Sequence, residues 1–76
     1  MKVYTYGPQV RAKLRSLGLK PNHEANARAI VDPGERREYW WLGDGTDAML
    51  DHSVTVHRTR DRKFLVSGFG KFREMF

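Results

Sequence analysis

The apolar positions of this chain alternate most regularly in its last third, where residues 53–72 read SVTVHRTRDRKFLVSGFGKF. Val54 and Val56 alternate with Ser53, Thr55 and His57, and Phe64 and Val66 alternate beyond Arg60-Asp61-Arg62, so the pattern predicts a two-stranded hairpin with a charged tip. Upstream the period changes. Val10, Leu14 and Leu17 recur at i, i+4 and i+7, Pro8 suits a first helical turn, and Gly18-Leu19 has the form of a C-terminal cap, which predicts a helix over residues 8–17. Residues 2–6 are rich in β-branched and aromatic side chains and read as a short strand ended by Gly7-Pro8. Residues 36–42 read as another strand, stopped by Gly43-Asp44-Gly45, after which Asp44 or Thr46 could cap one helical turn over residues 47–51. Gly68 and Gly70 interrupt the last strand and predict a bulge or a close backbone approach.

Residues 22–31, NHEANARAIV, fit two patterns. As a helix they offer Asn22 as N-cap, a Glu24 to Arg28 pair and a stop at Asp32-Pro33. As a strand they alternate Ala25, Ala27, Ala29 and Val31 with polar Asn26 and Arg28. The strand is preferred, because it pairs with residues 36–42 across Asp32-Pro33-Gly34-Glu35, where Pro33 and Gly34 suit the centre of a type II turn and small alanines face Trp40. The expected fold is therefore α+β: one domain over residues 1–76, ordered β-α-β-β-β-β, with one main helix packed on an antiparallel sheet through Val10, Leu14 and Leu17. A helical 22–31 would instead make a helix-turn-helix with the hairpin as a wing, although Glu24 and Asn26 match its inward positions poorly.

A chain of 76 residues buries only about 60% of its unfolded surface, which leaves a thin core and little room for a deep cleft. Without cysteine there is no disulfide framework, thiolate metal site or thiol nucleophile. The longest apolar run is residues 39–42, so neither an export signal nor a membrane span is visible, and the cytoplasm is the expected location. Charge changes the picture more. The total is +5, but residues 1–31 set six basic groups against Glu24, residues 52–76 set six against Asp61 and Glu74, and the middle holds Arg36 and Arg37 against six acids. Two basic ends brought together would attract polyanions.

Candidate chemistry is sparse. Asp44, Asp47, Asp51, His52 and His57 cluster in sequence, but their spacing matches neither a calcium loop nor a two-histidine helix motif. Ser16, Ser53 and Ser67 lack a nucleophile-elbow context. No catalytic residue, metal or cofactor is expected, and the chain reads as a binding protein rather than an enzyme.

Two short stretches have local resemblances. Gly68-Phe69-Gly70-Lys71-Phe72 resembles the GFG-x-F strand of histone-like DNA-bending proteins, whose preceding helix pair and long arm this chain lacks. Residues 9–23 are similar to the helix and turn of a small large-subunit ribosomal protein of β-α-β build, over about a fifth of the chain; beyond residue 23 the chain departs from that family. Adjacent Trp40 and Trp41 must point to opposite faces of a strand, leaving one for the core and one for a surface. The expected function is nucleic-acid binding, DNA or RNA, through Arg58, Arg60, Arg62 and Lys63 at the hairpin tip, with Arg11 and Arg15 on phosphates and Trp41 or Phe69 stacking on bases. The alternative is a small regulator or inhibitor that docks an acidic protein partner through the same basic and aromatic face, and a homodimer is compatible with either.

Overall fold

Among residues 1–42 and 52–76, which the computed structural model describes, the patterns become β1 (Lys2–Tyr4), α1 (Gly7–Ser16), β2 (Lys20–Pro21), α2 (His23–Arg28), β3 (Arg36–Trp41), β4 (Ser53–Arg58) and β5 (Phe64–Phe69). A short 3-10 helix, Gly70–Phe72, comes after β5. The strands form one sheet in the order β1-β5-β4-β3-β2, with every neighbouring pair antiparallel. One main helix on an antiparallel sheet is the α+β class that the periodicity predicts. No helix among the described residues is long and apolar enough to cross a membrane.

α1 covers one face of the sheet. Val10 and Leu14 bury their side chains against Trp40, Val54, Val56 and Val66, the inward positions of three adjacent strands. The helix ends in Schellman geometry, with Gly18 N–H donating to the Arg15 carbonyl at 3.0 Å and Leu19 N–H to the Leu14 carbonyl at 3.1 Å. This turn buries Leu19, while Leu17, the third residue of the expected stripe, sits at the C-cap and is only partly buried. The C-terminal segment adds Phe72 and Phe76 to the same core. Phe72 lies so close to β5 that a Cβ on Gly68 would overlap its carbonyl oxygen. The expected close approach is thus present, whereas β5 runs through Gly68 in regular register with Val54.

The strand expected over residues 22–31 is replaced by a helix. β2 is only two residues long, and Asn22 then caps α2 by accepting from the Ala25 N–H at 3.1 Å. Ala25, Ala27 and the Glu24–Arg28 ion pair, at 2.8 Å, favour the helix locally. A sheet neighbour is not needed, because α2 itself satisfies the edge of β3: Asn22 N–H donates to the Tyr39 carbonyl at 2.7 Å and Tyr39 N–H donates to Asn26 Oδ1 at 2.5 Å. The backbone N–H of Asn22 and the side chain of Asn26 thus do what a strand over residues 22–31 was expected to do. The turn at 32–35 does form, with Glu35 N–H on the Asp32 carbonyl at 3.0 Å and Gly34 at φ +85°. α2 leads from β2 to this turn along the rim of the sheet, so the wing-and-helix alternative is not realised. The expected helical turn at 47–51, with Asp44 or Thr46 as its cap, lies outside the described residues.

Candidate nucleic-acid interface

Strand alternation divides the polar and aromatic residues between two faces. On β3, Arg36, Glu38 and Trp40 point toward α1, and Arg37, Tyr39 and Trp41 point away. Trp40 is 1% exposed, and Trp41 stands on the open face, as adjacency of the two indoles requires. Register then places Ser53 beside Trp41 and Phe69 beside Ser53, so Trp41 and Phe69 flank the same short row. Phe69 is 46% exposed.

α2 gives this face a wall. Tyr39, Trp41, Phe69, Arg28, Arg37 and Ile30 line a groove of about 530 Å³ between the helix and the sheet, and no carboxylate of the described residues lines it. Its volume falls within the range of about 300 to 1,000 Å³ typical of ligand sites. The sequence singled out Trp41 and Phe69 for stacking; the structure brings them together and adds Tyr39, Arg28 and Arg37. Arg37 and Tyr39 share the parity of Trp41, and that signal was already in the sequence. Arg28 and Ile30 depend on α2 and could not be placed while that segment read as a strand.

The basic residues separate into three environments. At the hairpin tip, Arg60, Arg62 and Lys63 are exposed. The loop is closed by Thr59 N–H on the Lys63 carbonyl at 2.9 Å and Arg62 N–H on the Thr59 carbonyl at 3.0 Å, with Arg62 in the left-handed region at φ 63°. The Thr59 hydroxyl donates to Asp61 Oδ1, and Lys63 Nζ lies 3.6 Å from Asp61 Oδ2. The Thr59 hydroxyl and the Lys63 ammonium hold the Asp61 carboxyl below its ordinary range. Arg60 runs its methylenes over Gly34.

Arg11, Arg36 and Arg58 meet elsewhere, on the α1 side of the sheet. Arg11 forms an ion pair with Glu38 at 3.5 Å, and all four line a pocket of about 220 Å³ beside the start of α1. Arg15, one turn further along, lies over the Trp40 ring at 5.4 Å. Arg58, counted with the tip from sequence, is half-buried in this pocket, because it shares the inward parity of Val54 and Val56. The tip, the pocket and the groove are therefore distinct surfaces. His52 and His57, the described members of the sequence cluster in which no metal site was expected, are engaged separately: His52 Nδ1 accepts from the Lys71 N–H at 3.2 Å, and His57 Nε2 lies 3.4 Å from Glu35. Among the described residues no group of three or more His, Asp or Glu could hold a metal ion. Compared with protein-family models, curated proteins and solved structures, the chain matches none.

Proposed function

We propose that the protein binds single-stranded nucleic acid, seating unstacked bases in the open-face groove while the cationic tip of the β4–β5 hairpin engages phosphates. The observation that carries this reading is the lining of the groove among the described residues: the rings of Tyr39, Trp41 and Phe69 beside the guanidiniums of Arg28 and Arg37, with no described carboxylate. Every base has a π-face, so aromatic side chains beside a basic rim bind strands with little regard to sequence. Duplex bases are already stacked on one another, so a groove of this build favours single strands, loops or ends. A net charge of +5 adds long-range attraction for any polyanion. A cysteine-free chain in this role fits the reducing cytoplasm.

Titration of a single-stranded oligonucleotide into the protein at low salt, monitored by tryptophan fluorescence, tests the reading. Trp41→Ala and Phe69→Ala should each weaken binding by about 1 to 3 kcal/mol, the usual contribution of one stacked base, without changing the circular dichroism. Undetectable binding by the native protein, or binding by both variants as tight as that of the native protein, would dismiss it. A second reading rests on Ile30, which is 90% exposed at the mouth of the groove and suits an apolar side chain of a partner protein. Ile30→Ser separates the two, since it removes no stacking ring and should weaken oligonucleotide binding far less than Trp41→Ala does, whereas it should abolish a protein contact anchored on Ile30.

A further inference from the structure

We infer that Arg11, Arg36 and Arg58 form a binding pocket for a doubly charged phosphate monoester. The inference is independent of the single-strand reading, because the pocket lies on the α1 side of the sheet and the groove on the other.

Three observations carry it. Arg36 and Arg58 are direct cross-strand partners in the β3–β4 register and point to the same face, an arrangement in which like charges repel. Among the described residues neither has a carboxylate partner, since Glu38, the one acid lining the pocket, is engaged by Arg11. Furthermore, the Nε of Arg58 is buried and has no acceptor among the described residues. Buried donors are almost always satisfied, so one left open beside a concave pocket points to an acceptor that enters from outside.

The charge of the pocket selects the ligand. Three guanidiniums and one carboxylate leave a formal +2, which complements a dianionic monoester better than the single charge of a diester. Guanidinium groups also present paired donors that match phosphate oxygens two at a time. Val56 and Phe64 supply an apolar floor, and screening by water is reduced there. A bound dianion would cancel the Arg36–Arg58 repulsion and accept from Arg58 Nε.

Methyl phosphate is the probe, because at about pH 7.5 a monoester with a second pKa near 6 is largely a dianion. The thermal midpoint of the intact protein should rise saturably with methyl phosphate, beyond potassium chloride at matched ionic strength, and dimethyl phosphate should give little rise. Arg36 is exposed and its replacement leaves the core untouched. Arg36→Gln should raise the midpoint of the free protein by removing the repulsion, and should weaken methyl phosphate binding by about tenfold or more. Arg73→Gln and Trp41→Ala should bind the probe as the native protein does. Inorganic phosphate binding as tightly as methyl phosphate would identify the free ion as the natural source, and tighter binding of a nucleoside 5′-monophosphate would identify a larger ester. No saturable rise above chloride, an equal rise with dimethyl phosphate, or undiminished binding by Arg36→Gln would each overturn the inference.

Discussion

Arg62 is the one residue other than glycine with positive φ among the described residues. A side chain at such a position meets a steric penalty of about 1 to 2 kcal/mol, and three-residue hairpin loops usually place glycine there. Arg62→Gly should therefore raise stability by up to about 1 kcal/mol in urea denaturation, part of the gain being lost to the greater freedom of glycine in the unfolded chain. An arginine kept where glycine folds better agrees with a functional role for the tip cations. Gly68 is the opposite case. Its missing Cβ is the space that the Phe72 carbonyl fills, so Gly68→Ala should displace the 3-10 helix and destabilise by about 1 to 3 kcal/mol, the usual range for an overpacked position. An unchanged urea midpoint would show that the C-terminal segment does not pack as described. The sequence made a close approach at Gly68 legible, but not its partner, because nothing local says that residues 70–76 fold back. The split of Trp40 from Trp41 was fully legible, since a two-residue period admits no other outcome.

At the level of elements, α1 and the hairpin were readable because their periods run long enough to be unambiguous. Leu14 lies at the centre of the α1 stripe and is fully buried, so Leu14→Ala should lower stability by about 2 to 5 kcal/mol, a large share of what a domain this small possesses. A thermal midpoint within a few degrees of the native value would remove α1 from the core. Residues 22–31 mislead because the alternation of alanine with polar residues is weak in apolar content, and the deciding interactions come from Asn22 and Asn26 reaching β3. The N-cap makes this testable. Asn22→Ala should remove about 1 kcal/mol of helix stability and loosen the wall of the groove, so oligonucleotide binding should weaken along with folding. In the hairpin loop, Thr59→Val removes the hydroxyl that donates to Asp61, and the Asp61 carboxyl should titrate closer to its ordinary value by NMR. The sign is set by the lowered value in the folded state. The loop contribution is present above the unfolded carboxylate pKa and is lost as pH falls through the folded one, so Thr59→Val should flatten that acid dependence.

For the molecule as a whole, the two basic ends of the sequence do approach one another, as β1 pairs with β5 and α1 packs beside Arg58. They do not merge into one uniform patch. Arg11 is paired with Glu38 and Arg15 sits over Trp40, whereas Arg60 and Arg62 at the tip have no carboxylate partner among the described residues. Pairing of this kind depends on which strand faces which, and composition carries no such information. It also decides where polyanion contacts should be lost. Each phosphate contact on a single strand contributes about 0.7 to the logarithmic salt slope through counterion release. Arg60→Ala with Arg62→Ala should therefore flatten the slope by about 1.4 and weaken binding most at low salt, while the thermal midpoint stays near the native value because exposed charges contribute little stability. Trp41→Ala should do the reverse, weakening binding by a similar factor at every salt concentration and leaving the slope unchanged, since stacking releases no counterions. The two effects should combine additively, as the tip and the groove lie at opposite ends of β4. If the tip variant keeps the native slope, the hairpin does not bind phosphate, and if the tryptophan variant flattens it, the strand does not run through the groove.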